Sequence, residues 1–395
     1  MTPMERRASA SLASIFALRM LGLFMVLPVF ALEARKYPGG DDPALLGLAM
    51  GMYGLTQALL QLPFGMASDR FGRKRVIALG LIIFALGSFW AAAADDLTGL
   101  LVGRSLQGAG AISAAVTAFL ADLTRDSVRT KAMTLLGVSI GLVFALSLVV
   151  SPVLVGAIGL TGLFQVTGGL ALIGVAVVVW GVPAELAPKV ASPRGGFKQV
   201  LTHWGLLRLN LGVFVLNAVQ LAMWVPVPAM LVQAGLPKAD HWQVYLPAVL
   251  GSFALMGGVF ALERRGQLKK VFLFAIALLA LVQVGLFVES LATAQLWPLA
   301  ALMFAFFCAF NVLEATLPSL ASRMAPTEVR GTAIGVFNTL QSLGLFVGGW
   351  LGGVLVKGFG SPMLFLGALA VLLLWWVVAL FMQMPQPNAP LQPHA

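Results

Sequence analysis

Long apolar runs separated by short polar segments extend along the chain from residue 9 to residue 383. Each run is close to the roughly 20 residues that an α-helix needs to cross the hydrocarbon core of a bilayer. The pattern therefore predicts an all-α membrane protein with 12 transmembrane helices. The predicted helices are 9–33, 46–67, 76–94, 98–121, 132–158, 162–182, 206–233, 241–262, 271–290, 294–322, 331–356 and 362–383.

The composition agrees with lipid as the main solvent. Hydrophobic residues form 59% of the 395 residues and charged residues only 10%, whereas a soluble domain carries about 25% charged residues. Twelve spans with short loops use nearly the whole chain, which leaves no room for a large soluble domain. Cys308 is the only cysteine and the three histidines are scattered, so we expect no disulfide, no metal site and no cofactor.

Basic residues are distributed unevenly between the two sides that 12 spans define. Nineteen of the 25 lysines and arginines fall in the segments 1–8, 70–75, 125–131, 189–208, 264–270 and 323–330. The opposite loops hold only Arg35, Lys36, Lys238 and Lys357. Because cytoplasmic loops carry an excess of positive charge, we expect both termini in the cytoplasm. The net charge of +10 then reflects topology, and no nucleic-acid partner is expected.

The chain contains an internal repeat. Asp69-Arg70-Phe71-Gly72 recurs in altered form at residues 263–266, an offset of 194, and 128–132 recurs at 329–333, an offset of 201. Leu163-Phe164 also recurs 201 residues later. Because six spans separate the copies, the two halves have the same orientation and are related by an axis along the membrane normal. Transporters place a central site between such halves.

The repeat predicts two pseudo-symmetric six-helix bundles joined by a stretch rich in proline, lysine and arginine. We expect a first half over residues 1–182, a cytoplasmic linker over 183–205 and a second half over 206–384. The proline-rich tail, 385–395, is expected to be disordered.

Two sequence motifs carry a family resemblance. Residues 65–74, Gly-Met-Ala-Ser-Asp-Arg-Phe-Gly-Arg-Lys, match the signature that the major facilitator superfamily carries between its second and third helices. Residues 104–110, Arg-Ser-Leu-Gln-Gly-Ala-Gly, match a second signature, found in the drug:proton antiporters of that superfamily. Along nearly its whole length the chain therefore resembles a major facilitator transporter of the antiporter type.

The resemblance implies a function as well as a fold. It implies a monomeric secondary transporter, not an enzyme, in the bacterial inner membrane. Such a protein exports a small amphipathic or drug-like molecule by alternating access, in exchange for protons. Some similar inner-membrane transporters carry an additional soluble C-terminal domain, which this chain is expected to lack.

The first motif predicts a conformational latch on the cytoplasmic side. Its expected members are Gly65, Asp69, Arg70, Gly72, Arg73 and Asp122. Glycines allow a tight turn and close approach, and Arg73 is expected to bridge Asp69 to Asp122. The resemblance implies that Asp69 accepts from backbone amides at the positive start of the eleventh helix, near Gly331. Alternatively, these charges only enforce the topology.

Three formal charges lie deep in predicted helices, namely Arg19, Arg104 and Glu314. Charges in the membrane are costly, and they usually face a cavity and take part in function. Glu314 is a candidate proton carrier and a possible partner for a cationic substrate, and the resemblance ties Arg104 to proton coupling. Arg19 pairs with a carboxylate, binds an anionic group or lines the cavity entrance. Purely structural hydrogen bonding is the alternative for all three.

Other polar and aromatic residues within the helices are candidates for lining a substrate cavity. Aromatic rings can stack on a hydrophobic or cationic substrate, although most single polar residues in membrane helices bond to a neighbouring helix instead. The candidates are Phe24, Tyr53, Gln57, Asn217, Gln220, Trp224, Asn338 and Gln341. Gly344, Gly348 and Gly352 form a smooth face on the eleventh helix, with Gly349 and Gly353 beside it, and this face predicts close helix packing.

Three other functions are compatible with the sequence. A proton symporter or a facilitator for a sugar or another metabolite would share the fold and the buried charges. A membrane-embedded enzyme acting on lipid would need paired acids or a metal cluster at one depth, and Glu314 alone does not supply that. A sensor that borrows the fold would bind a solute without moving it.

Overall fold

The computed structural model describes residues 1–185, 197–326 and 329–384, and these form helices and no β-strand. Residues 186–196 of the predicted linker and the whole predicted tail, 385–395, lie outside the described residues. The helices are α1 (Pro3–Glu33), α2 (Pro43–Phe71), α3 (Arg73–Ala92), α4 (Leu97–Ala109), α5 (Ser113–Asp122), α6 (Asp126–Ala176), α7 (Phe197–Thr202), α8 (Trp204–Met223), α9 (Val227–Gln233), α10 (Trp242–Arg264), α11 (Leu268–Ser290), α12 (Leu296–Met324) and α13 (Arg330–Leu380).

The two longest helices, α6 and α13, each have 51 residues and fold back at a glycine. Gly159 in α6 has a φ of 67° and Gly360 in α13 a φ of 81°, a region that favours glycine. Ser151 and Thr167 lie on either side of Gly159, and both donate to carbonyl oxygens within one turn of α1. In a straight helix they would be about 24 Å apart, so the two arms lie side by side.

Two predicted spans are interrupted. The helix expected over 98–121 is divided into α4 and α5, and the one expected over 206–233 into α8 and α9. Pro226 and Pro228 lack the amide hydrogens that would continue α8. If each interrupted pair counts as one segment and each folded-back helix as two, the described residues form 12 long segments in the predicted order.

The outer surface fits a bilayer. Eight of the helical segments in the described residues are long and apolar enough to span a membrane. Large apolar side chains such as Leu142 and Phe274, each 67% exposed, point outward. Exposed tryptophans lie near helix ends at positions 180, 204 and 297, where aromatic side chains mark the membrane–water interface.

The internal repeat is visible in the contacts. The turn glycines Gly159 and Gly360 are 201 residues apart. Arg7 donates to the carbonyl oxygens of Trp180 and Gly181 at the end of the first half. Arg208, also 201 residues later, donates to the carbonyl oxygen of Phe381 at the end of the second half. The first and last helices of each half are therefore fastened together in the same way.

The first arm of α13 contacts two helices through different glycines. Gly344 and Gly348 lie against the backbone of α8, within their own half. Gly349 lies against the backbone of α2 at Gly47 and Gly51, in the other half. The predicted close packing is present, and the neighbouring glycines extend it across the interface between the halves.

Several close contacts between the halves lie on one side of the molecule. We call the side that carries Arg73 and Asp122 the basic side and the side that carries Asp42 and Lys357 the opposite side. The glycine contacts of α2 with α13 and two ion pairs, described below, lie towards the opposite side. At the basic end of α13, Gly331 is exposed, and a methyl group there would meet no atom within 4 Å. Among the described glycines, those in close backbone contact across the halves therefore lie towards the opposite side.

Candidate transport site and gates

Arg19 joins three helices of the first half. It lies fully buried in α1, and its Nη2 donates to the hydroxyl of Tyr53 at 2.7 Å and to Oε1 of Gln57 at 3.0 Å. Its Nη1 donates to the hydroxyl of Ser113 on α5 at 3.3 Å. All three acceptors are neutral, and no carboxylate of the described residues lies within 4.0 Å of Arg19.

Arg104 forms a second buried cationic centre next to the first. It is 1% exposed, and its Nη1 donates to Gln107 at 2.8 Å. The guanidinium carbons of Arg104 and Arg19 lie 5.1 and 5.8 Å from the ring centroid of Tyr53, so they are within about 11 Å of each other, the sum of those distances. At an effective dielectric constant of about 20, two such charges repel by at least about 1.5 kcal/mol.

A polar path runs from this centre to the acid of the second half, and hydrogen bonds join its members except Gln341 and Ser342, which are only neighbours along α13. Oε1 of Glu314, on α12, accepts from Gln341 on α13 at 2.8 Å. The next residue on α13, Ser342, accepts from Nε2 of Gln57 at 3.0 Å, and Gln57 in turn accepts from Arg19. The path therefore crosses the interface between the halves and has Arg19 near one end and Glu314 at the other.

The predicted cavity residues separate into two groups. Gln57 and Gln341 belong to the polar path, and Tyr53 accepts from Arg19 beside it. Phe24 is partly exposed and packs edge-to-face on Phe144 of α6 at a centroid distance of 5.0 Å. Phe144 in turn faces a phenylalanine of α12 at 6.0 Å, so this aromatic contact also crosses between the halves.

In the described part of the chain, the side chains of the other cavity candidates form no hydrogen bond with the path, and cavity lining stays a prediction for them. Asn217 donates to the carbonyl oxygen of Val213 in its own helix, and Trp224 is buried edge-to-face against Tyr245. Gln220 is also buried. Asn338 is partly exposed, and its carbonyl oxygen accepts from Ser342 at 3.1 Å. Asn217 and Trp224 thus have packing roles that the sequence did not distinguish from cavity lining.

Arg73 lies between two carboxylates on the basic side. Its Nη1 is 2.6 Å from Oδ1 of Asp69 and its Nε is 3.0 Å from Oδ2 of Asp122. Nη1 also donates to Ser68 at 2.6 Å. We call these four residues the Arg73 cluster. The bridge from Asp69 to Asp122 has the predicted geometry and fastens the ends of α2 and α5 to the start of α3, whereas its gating role stays a prediction.

The turn around this cluster is tighter than predicted. Helix α2 was expected to end at residue 67 but continues to Phe71. Gly65 lies inside the helix, and Gly72, with a φ of 97°, makes the turn. Arg70 is exposed and outside the cluster, with its guanidinium 5.4 Å from the ring of Phe71. Glu185, which no motif indicated, accepts from the backbone amide of Lys74.

Two ion pairs join the halves on the opposite side. Lys357 of α13 contacts Asp42, the residue before α2, at 2.7 Å, and Lys238 contacts the buried Glu33 at the end of α1. Glu33 also contacts Lys36 at 2.9 Å. The Lys357 ammonium, with backbone amides at the start of α2, lowers the pKa of Asp42. Three of the four basic residues on this side are therefore in ion pairs, and two of the pairs cross the interface.

The fold and the Arg73 cluster agree with a match in sequence to a known family. The model of the Major Facilitator Superfamily matches residues 12–349. The chain belongs to the major facilitator superfamily. It is 42% identical over 390 residues to the inner membrane transport protein YajR of Escherichia coli, which covers 98% of this chain and 85% of that protein.

More distant major facilitator proteins are also similar. The chain is 28% identical over 346 residues to the multidrug resistance protein MdtH of Yersinia enterocolitica, covering 84% of this chain and 82% of that protein. In structure it resembles a mutant of the nucleoside transporter NupG with a TM-score of 0.75 at 12% identity, covering 94% of this chain and 99% of that one. The chain is thus a multi-pass membrane transporter and not an enzyme.

Proposed function

We propose that this major facilitator protein exports a small amphipathic molecule in exchange for protons. It works by alternating access as a monomer in the bacterial inner membrane, with both termini in the cytoplasm. The similarity to a protein named for multidrug resistance supports efflux. The similarity to an inner membrane protein supports the location, and the basic side then faces the cytoplasm.

The observation that carries proton coupling is the position of Glu314. It lies within α12, one of the segments long enough to span the membrane, and Gln341 is its neutral hydrogen-bond donor. No cation of the described residues lies within 4.0 Å of its carboxylate. An acid in the membrane without a fixed counter-charge is suited to taking up and releasing a proton. Arg104 and Arg19 supply positive charge in the other half of the site.

Opposing gates would give alternating access. With the basic side in the cytoplasm, the close contacts on the opposite side correspond to a state closed to the outside. Opening to the outside would separate Asp42 from Lys357 and Glu33 from Lys238. The Arg73 cluster, with Gly65, Arg70 and Gly72 around it, would then help to close the cytoplasmic side.

The test uses purified protein in liposomes under an imposed pH gradient. Flux of a panel of fluorescent amphipathic dyes is measured, and the gradient is then reversed. Antiport predicts dye movement against the proton flow, whereas a symporter would move dye with it. A flux that is unchanged on reversal for every transported dye contradicts proton coupling.

Glu314→Gln tests the proton site in the same assay. The amide cannot exchange a proton at this position, so we expect dye flux to lose its dependence on the pH gradient. Asp95→Asn, which neutralises an exposed acid in the loop before α4, is the matched control and should behave as the unmodified protein. Intact coupling in Glu314→Gln would leave Glu314 with a structural role only.

A further inference from the structure

The first half holds two buried cations near Tyr53, and no carboxylate of the described residues lies within 4.0 Å of either. Arg19 has only neutral acceptors, and its Nε has no hydrogen-bond partner in the described part of the chain. Nε of Arg104 is likewise buried and unpartnered there. Neutral dipoles orient a guanidinium but do not cancel its charge, and a buried cation without a counter-ion is unstable. This site therefore favours an anion.

The repeat shows that the charge is specific to the first half. The offset of 201, which relates Arg7 to Arg208, places Gln220 at the position equivalent to Arg19. It also places Glu314 at the position equivalent to Ser113, which accepts from Arg19. Arg19 of the first half thus corresponds to a neutral residue in the second half. Glu314 of the second half corresponds to a neutral residue in the first half. The central site has a positive pole on the first half and an acidic pole on the second.

We propose that Arg19 binds an oxyanion group, a carboxylate or a sulfonate, of the transported molecule. This inference rests on the proposed transport function and names the substrate class: an amphipathic organic anion or zwitterion. The guanidinium fork suits an oxyanion because it offers two parallel donors. The aromatic contact of Phe24 with Phe144 is nearby in sequence, one to two turns along α1 from Arg19, and offers an apolar surface for the rest of the molecule.

Gln57 links this binding to the interface between the halves. At present it accepts from Arg19 Nη2 while it donates to Ser342 of the second half. An oxyanion on Arg19 is a stronger acceptor than an amide oxygen and replaces Gln57 there. Gln57 is then free to reorient, and the polar path towards Glu314 loses its link to Arg19. Binding of an anion at Arg19 thereby changes the contacts of Gln57 at the interface between the halves.

The test compares three probes that share one aromatic body. Binding of 2-naphthoate, its neutral amide and 2-naphthylmethylammonium is measured by calorimetry on the full chain in nanodiscs, at one pH and without a gradient. The proposal predicts that naphthoate binds at least tenfold more tightly than the amide and that the ammonium binds most weakly. Equal binding of naphthoate and its amide, or no binding of naphthoate up to its solubility limit, would overturn it.

Variants then locate the site. Arg19→Gln should lose at least tenfold in naphthoate affinity with little change for the amide, and Arg19→Lys should lose less because it retains the charge. Arg35→Gln, which removes an exposed arginine on the opposite side, should bind as the unmodified protein. Undiminished naphthoate binding by Arg19→Gln would overturn the assignment.

The comparison of the anion with the amide needs no variant, so it decides the question even where Arg19→Gln fails to fold. Because the assay has no proton gradient, its result is independent of proton coupling. Anion binding with flux that ignores the pH gradient contradicts the proposed antiport alone. Proton-coupled dye flux without anion preference contradicts only the anion subsite.

Discussion

Arg73 contacts three acceptors at once because its guanidinium carries five donors on a rigid plane. We expect Arg73→Gln to lower dye flux at least several-fold, since the ends of α2 and α5 lose their common partner at the start of α3. Hydrogen bonds to charged groups contribute about 1.5–3 kcal/mol, and partial exposure reduces this to about 1 kcal/mol. Arg73→Lys should have an intermediate flux, because an ammonium acts as a point charge.

Arg75→Gln is the matched control for this prediction. It removes the same charge two residues later, where the side chain is exposed. Flux is measured in liposomes after equal insertion of each variant has been verified. Equal flux in Arg73→Gln and Arg75→Gln would show that these charges only set the topology.

Single residues also show where sequence reasoning succeeds and stops. The contact of Arg73 with Asp69 and Asp122 was predictable because a motif of known geometry contains two of the three residues. The contact of Arg19 with Ser113 was not, because it depends on which helices are neighbours and on their rotation. No pattern in a single sequence gives either. A buried arginine could be recognised, but its partner could not.

At the scale of elements, α13 shows two kinds of glycine contact. Gly348 lies against the backbone of α8 in its own half, and Gly349 against the backbone of α2 in the other. We expect Gly348→Ala to lower the melting temperature, because overpacking a fixed contact costs about 1–3 kcal/mol. Gly349→Ala should instead push α2 and α13 apart and favour the state that is open on the opposite side.

The two variants are matched because each adds one methyl group to the same turn of one helix. Distances between spin labels placed across the halves on the opposite side are measured after Cys308, the only cysteine, has been replaced. Label distances should lengthen in Gly349→Ala and stay unchanged in Gly348→Ala. The reverse assignment of the two effects would contradict the description of this interface.

The elements themselves were largely predictable, because long apolar runs determine membrane helices. The interruptions within the predicted helices were less predictable. The interruption after α4 occurs at Gly110, where the chain passes close to the backbone of Gly80. Because that proximity is a tertiary contact, the sequence does not reveal it, and the apolar run 98–121 predicts one continuous helix. The glycine faces of α13 were visible in the sequence, but which neighbour each of them meets was not.

At the scale of the whole molecule, the opposite side carries two ion pairs between the halves, which break in the proposed transport cycle. Lys357 and Asp42 are 56% and 35% exposed, so their pair contributes about 0.2–1 kcal/mol. We expect Lys357→Gln to shift the population towards the state open on that side by roughly 1.4- to 5-fold. Spin-label distances measure the shift, and Arg35→Gln, on the same side, should leave them unchanged.

The pH dependence of this gate follows from the pKa of Asp42, which is lowered next to Lys357. A carboxylate with a lowered pKa stabilises the paired state at pH values above its ordinary pKa of about 3.9, and loses this effect as the pH falls through the lowered value. The shift caused by Lys357→Gln should therefore be the same at about pH 5.5 and about pH 8. A strong difference between those values would mean that the pair itself senses protons.

Arg7 and Arg208 close each half with a contact of its own. Each fastens the beginning of its six-helix half to the carbonyl end of the last helix in the same half. Neither of these two contacts involves a residue of the other half. Two halves that are each tied in this way can move against each other without breaking either contact. The 201-residue spacing of the two contacts equals the offset of the internal repeat, so both halves are closed through the same pair of helix ends.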